Sequence, residues 1–145
     1  TGEIREYWEQ ILAFRFIMTF KVEGFSAPKL EERLTDLMQQ NIFKPKIMII
    51  DGLKFDESGR GLLIELKEMA QKYAMSIWFT VHTHRHEPPQ PSGLPLSFLH
   101  VADLFHVLVQ LSARGPEVYI KAIKGQSPNA KIEALNLDPA TMLIK

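Results

Sequence analysis

Three histidines alternate with single residues in the run His82-Thr83-His84-Arg85-His86. Alternate residues of an extended strand share a face, so this spacing lets three imidazoles converge on a Zn²⁺, Ni²⁺ or Cu²⁺ ion, with Glu87 as an additional carboxylate. Pro88-Pro89 follows at once and interrupts the regular strand that such convergence needs, so a polar surface loop is the competing reading. A second chemical position is Asp51. It closes the run Lys46-Ile47-Met48-Ile49-Ile50-Asp51-Gly52, a short apolar stretch that ends on a carboxylate and a glycine. An Asp before Gly can also simply cap a strand-to-loop turn. Asp56 and Glu57 lie in the following loop, where they either polarise water, contact a partner, or form a solvated acidic loop ahead of Ser58-Gly59. No G-x-x-x-x-G-K-[ST] pattern occurs in these residues, so they hold no glycine-rich cradle of that type for phosphate.

The elements that must position these groups can be read from periodicity. Ile4, Tyr7, Trp8, Ile11 and Leu12 follow the i, i+3, i+4, i+7, i+8 spacing of an amphipathic helix. Residues 14–22 are aromatic, β-branched and apolar and read as a strand, which Gly24 ends. Ser26 is a plausible N-cap with Pro28 in the first turn. The helix that follows carries Leu30, Leu34, Leu37 and Met38 on one face. Residues 47–50 form a strand that is apolar on both faces, as a central parallel strand covered by helices on each side would be. A third helix is expected over 61–73, with Leu62, Leu63, Leu66, Met69, Ala70 and Tyr73 facing the core, and a strand over 76–81. The stretch 82–95 holds four prolines and a glycine and reads as a loop. A short helix or turn near 96–101 leads to a strand at 105–111. Residues 118–123 pair back, and 131–137 end a meander.

Composition narrows the class. The chain has 145 residues, 46% of them apolar, which is enough for one domain with its own core. Lys plus Arg equals Asp plus Glu at 17 each, so no global charge draws it to nucleic acid, although a local patch remains open. The same balance argues that Tyr7, Trp8 and the aromatics of 14–25 serve packing, in the core or against a missing half of the domain, rather than base stacking. Cysteine is absent, which excludes disulfides and Cys-ligated metals and fits a reducing cytoplasm. No apolar stretch approaches the ~18–20 residues of a membrane-spanning helix. The chain opens Thr-Gly without Met, from which an N-terminally truncated core is expected.

Taken in order, these motifs resemble the RecA-like P-loop ATPases, including the KaiC and replicative-helicase branches. The resemblance runs from about Phe14 to Lys145. It rests on the strand ending Ile49-Ile50-Asp51-Gly52, similar to the Walker B strand, and on the strand ending Trp78-Phe79-Thr80-Val81-His82-Thr83-His84, where the family places a polar sensor. Ala102-Asp103-Leu104-Phe105-His106-Val107-Leu108 is like the start of the family's next strand. The last part is the meander with Lys121, Lys124-Gly125 and Leu137-Asp138-Pro139.

The resemblance implies an α/β fold, a fragment of a RecA-like three-layer sandwich, with a mostly parallel sheet followed by a C-terminal antiparallel β-meander in a single domain over 1–145. It implies ATP and Mg²⁺ as cofactors, with Asp51 and Gly52 at the nucleotide and Asp51 holding a Mg²⁺-bound water. It implies His82 or His84 as sensor of the γ-phosphate. Lys124 would reach a neighbouring subunit's nucleotide, although Ala122 stands where the family carries a companion basic residue, and exposed strand lysines also protect edges. The partners it implies are a homo-oligomer formed through the meander and the missing N-terminal half carrying the P-loop strand. Without that half, no ATP turnover is expected of these residues alone. A catalytically inactive assembly domain and a small metal protein built on His82, His84 and His86 are the alternatives.

Overall fold

A computed structural model describes residues 2–12, 14–53, 55, 59–81, 94–114, 117–125 and 135–138. In chain order the regular elements are α1 (Gly2–Leu12), α2 (Ala27–Gln39), β1 (Ile47–Ile50), α3 (Arg60–Lys72), β2 (Ser76–Phe79), β3 (Leu108–Arg114), β4 (Glu117–Lys124) and β5 (Leu135–Leu137). The chain divides into two compact units. One comprises Thr1–Ile50 with Glu65–Trp78, and the other comprises Asp51–Ile64 with Phe79–Lys145.

In the first unit the helices start and stop where local chemistry dictates. Ser26 takes an extended backbone and its Oγ accepts from the Lys29 amide at 3.4 Å, capping α2 with proline in the first turn. The helix then buries Ala27, Leu30 and Leu34, the i, i+3, i+7 stripe of an amphipathic helix. Its far end is a Schellman motif. Asn41 adopts φ 54°, the Ile42 amide donates to the Leu37 carbonyl at 2.9 Å, and the Asn41 amide donates to that of Met38 at 3.1 Å.

Helix α3 ends the same way around Ala74, at φ 49°, with Met75 donating to Ala70 and Ala74 to Gln71. Ala74 is the costlier solution, because its Cβ crowds the backbone in the left-handed region. Glu31 joins α2 to the end of α3. Its Oε1 accepts from Lys72 Nζ at 2.6 Å and from the Tyr73 hydroxyl at 2.8 Å. These bonds, that of Lys72 foremost, hold the Glu31 carboxyl below its usual range, and Glu31 in turn raises the Lys72 ammonium. Leu66, Met69 and Met75 are buried, Leu66 completely.

Strands β1 and β2 form a two-stranded parallel sheet. Both strands alternate exposed and half-buried residues. Met48, Ile50, Ile77 and Phe79 lie on the covered face, while Ile47 (63% exposed), Ile49 (70%) and Trp78 (49%) lie bare on the other. The apolar run on both faces of β1 therefore does not correspond to cover on both faces among the described residues. The expected strand over 14–22 is also absent. Residues 15–21 carry no regular structure, and Val22–Gly24 is a 3-10 turn. Strand propensity alone does not make a strand, because each strand needs a neighbour to complete its ladder, and 15–21 has none among the described residues.

The second unit contains the meander. Strand β3 pairs antiparallel with β4, from Leu108 opposite Lys124 to Arg114 opposite Glu117. Strand β4 pairs with β5, with Tyr119 opposite Asn136. The antiparallel meander is thus present, whereas the parallel part of the described fold is the β1–β2 pair alone. The core of this unit is Phe55, Leu63, Phe98 and Val101, with Leu53, Phe79, Val81, Leu104, Phe105 and Leu108 packed against it.

Two stability measurements check this account. Leu66→Ala removes a fully buried side chain and is expected to cost about 2–5 kcal/mol in urea unfolding. Ala74→Gly relieves the left-handed strain at the end of α3 and is expected to stabilise the protein by roughly 1 kcal/mol in the same titration.

Candidate functional site

A convergence of polar groups at the ends of the two parallel strands begins directly after β1. Asp51 is exposed, and Gly52 turns the chain at φ +78°. Nothing lies within 4 Å of where a Cβ would stand on Gly52, so its requirement is conformational rather than steric. Leu53 and Phe55 then enter the apolar core and hold the turn in place. After β2, Phe79 and Val81 enter the same core. Their alternation leaves Thr80 outside, where its Oγ1 donates to Asp51 Oδ1. A carboxylate and a hydroxyl from the ends of two adjacent parallel strands therefore meet. In open α/β sheets, ligands bind in the crevice outside such carboxyl ends.

Thr80 was the residue that sequence reasoning passed over in favour of the histidines beyond it. Its signal was present as a single polar residue between two apolar ones at the end of an apolar strand. His82 and His84 lie outside the described residues, as do His86, Glu87, Asp56 and Glu57. Among the described residues, no group of three or more His, Asp or Glu side chains could hold a metal ion. Mg²⁺ needs less than that from a protein, since it usually keeps several waters and takes one or two carboxylates together with substrate phosphates. Asp51 and Thr80 supply hard oxygen donors suited to that chemistry.

Lys124 closes β4, and its Nζ donates to the Ala102 carbonyl at 2.7 Å, within its own unit. The next residue, Gly125, has φ +88°. A Cβ there would stand 2.6 Å from the His106 carbonyl oxygen and 2.9 Å from Val107 Cγ2. The Lys124-Gly125 pair is thus accounted for by local packing, with the lysine turned onto its own chain. Lys121 is exposed, opposite Gln110 on β3.

A neighbouring ion pair had no sequence signal. Arg60, the first residue of α3, grips Asp103 with both guanidinium nitrogens at 2.7 Å, and Nη1 also donates to the His100 carbonyl. This planar fork matches a carboxylate in a way lysine cannot. Arg60 lowers the Asp103 carboxyl to about 2, with a smaller contribution from the charge of Lys124, and the Arg60 guanidinium is raised in return. Among the described residues, no helix is long and apolar enough to cross a membrane. Compared with protein-family models, known proteins and solved structures, the chain gives no significant match.

The Asp103 pairing has a defined pH signature. Its folded-state value lies below the ordinary 3.8, so the contribution is complete above 3.8 and is lost as pH falls through about 2. Carboxyl carbon NMR is expected to place the Asp103 midpoint at about 2, and Arg60→Gln to return it towards 3.8. An unchanged midpoint in the variant would remove Arg60 as the cause.

Proposed function

We propose that this chain carries the Walker B-like part of a RecA-like ATPase site, with Asp51 as the residue that orients a Mg²⁺-bound water. The observation that carries the reading is the side-by-side placement of Asp51 and Thr80 after two parallel strands, fixed by their hydrogen bond. The order of elements supports it, because a helix and a loop separate the Asp-ending strand from the strand that precedes the polar residue. The outer edge of β2 has no neighbour among the described residues, and the RecA-like reading seats a P-loop strand there.

In this reading the chain's own groups have limited and distinct tasks. The Asp51 carboxylate accepts hydrogen bonds from cation-bound water. Thr80 restrains that carboxylate by occupying Oδ1. Gly52 lets the backbone leave the site sharply. Bound Mg²⁺ would supply electrostatic stabilisation of charge on the transferring phosphoryl group. The glycine-rich phosphate cradle of this reading must come from outside these 145 residues, since that pattern is not among them. His82 or His84 remains the proposed γ-phosphate sensor. The cross-subunit role proposed for Lys124 requires it to leave the Ala102 carbonyl.

A catalytically inactive assembly domain is the second reading. The internal engagement of Lys124 favours it, because a basic residue spent on its own chain is not presented to a neighbour's nucleotide. Turnover separates the two. In the polypeptide as its gene encodes it, Asp51→Asn is expected to lower ATPase kcat by about 100-fold or more, the scale of losing one preorganised electrostatic contact. The 145-residue chain alone is expected to give no calorimetric heat with millimolar Mg-ATP. Wild-type turnover in the Asp51→Asn variant would overturn the ATPase reading, and no turnover in the parent polypeptide would favour the assembly domain.

A further inference from the structure

Residues 15–21, Arg-Phe-Ile-Met-Thr-Phe-Lys, have the sequence of a strand and the exposure pattern of one, but not its hydrogen bonds. Over 17–21 the exposure alternates, with Met18 and Phe20 half-buried while Ile17 (66% exposed), Thr19 and Lys21 face outward, and Phe16 on the covered side is itself 44% exposed. Phe16 lies 6.0 Å from Phe43 between ring centroids, and Phe20 meets Phe25 edge-on at 5.3 Å, so one face of the segment is anchored. The backbone bonds around it stop at its ends, with Arg15 donating to Leu12 and Gly24 to Lys21. The amides of residues 16–20 have no hydrogen-bond partner among the described residues. Beside them runs an open groove of about 420 Å³, with residues 16–20 on one side and Arg33, Asp36 and Leu37 of α2, with Gln40 just past its end, on the other.

We infer that this segment is a strand-addition site for an extended, apolar peptide segment with acidic ends, supplied by another protein. Backbone pairing to residues 16–20 provides the affinity in such recognition, and a groove for alternate side chains provides selectivity. The charge pattern selects the ends. Arg15, whose guanidinium lies 5.4 Å over the Trp8 ring, and Lys21 bracket the segment and no acidic residue lies between them, while the groove wall carries one charge of each sign, Arg33 and Asp36. A second copy of the same segment fits poorly. Antiparallel pairing centred on Met18 sets Arg15 opposite Lys21, and like charges directly opposed are destabilising. A helix fits poorly too, because its own backbone bonds are already made and cannot satisfy a strand edge. This inference goes beyond the ATPase reading and competes with it for residues 16–20, because in that reading the missing N-terminal half would pack against these aromatics.

Amide hydrogen exchange of the 145-residue chain tests it without any activity measurement. In the free chain, the amides of residues 16–20 are expected to exchange without protection at all protein concentrations. The probe is a seven-residue peptide of alternating valine and threonine, with glutamate at one end and aspartate at the other. It is expected to protect those amides saturably, and the same peptide with lysine ends is expected to bind about tenfold more weakly or worse. The double variant Arg15→Glu, Lys21→Glu should reverse that preference, and its intact α2 amide protection would show that it still folds. Protection already present in the free chain would mean the ladder is filled internally. Protection that rises with protein concentration would mean a second copy fills it. Either result, protection of these amides without added peptide in the polypeptide as its gene encodes it, or no discrimination between the two peptides, overturns the proposal.

Discussion

The Phe55 aromatic cluster is the interaction on which the arrangement of polar groups depends. Phe55 stacks on Phe98 at 5.0 Å, meets Phe79 edge-on at 5.8 Å and lies 6.0 Å from Phe105. Phe79 and Phe105 add an edge-on contact at 5.7 Å. Aromatic pairs of this kind contribute about 0.5–1.5 kcal/mol each beyond their buried area. Asp51, Thr80 and Asp103 each lie within a few residues of a cluster member. Asp51 precedes Leu53 and Phe55, Thr80 sits between Phe79 and Val81, and Asp103 lies two residues before Phe105. The hydroxyl meets the carboxylate because apolar neighbours on both chains are drawn to the same core. Burial of Phe79 and Val81 therefore fixes the rotation of the chain at Thr80.

The segment between Pro95 and Phe105 explains why two cations turn inward. It is built from short 3-10 turns, Leu96–Phe98 and Ala102–Leu104, which form few backbone bonds and leave carbonyls without helical partners. Arg60 covers the His100 carbonyl, and Lys124 adds a second donor to the Ala102 carbonyl, which the Phe105 amide meets only at 3.4 Å. Asp103 then offsets the guanidinium charge. These groups are exposed enough that their ion pairing contributes little by itself. Their role is to satisfy an irregular backbone that the aromatic cluster requires at this place.

The sequence made legible what is encoded over short distances. The spacing of Leu30 and Leu34, the Ser26 cap, the apolar runs of β1 and β2 and the turn-separated meander all appear in the structure close to where periodicity put them. The features that were not legible depend on partners distant in sequence. Arg60 and Asp103 are 43 residues apart, and Asp51 and Thr80 are 29 apart, so neither pair leaves a local pattern. The segment 14–22 failed for the converse reason. Its composition states a preference for a ladder, but composition cannot supply the neighbouring strand. The two apolar faces of β1 likewise state a need for cover without saying which residues meet it.

That unmet need bears on the chemistry of Asp51. Ile47 and Ile49 alternate outward, and Asp51 continues that spacing along the chain. Burying a side chain such as Ile or Trp is favourable by about 1.5–3 kcal/mol relative to leaving it exposed, so Ile47, Ile49 and Trp78 together provide a substantial driving force for cover. Cover would also change the electrostatics. An exposed carboxylate attracts a cation through water, where two unit charges 4 Å apart interact by only about 1 kcal/mol, whereas a site with an effective dielectric near that of a protein surface raises this to about 4 kcal/mol. In the ATPase reading, a surface that dried the Asp51 site would therefore strengthen the hold of Asp51 on its cation.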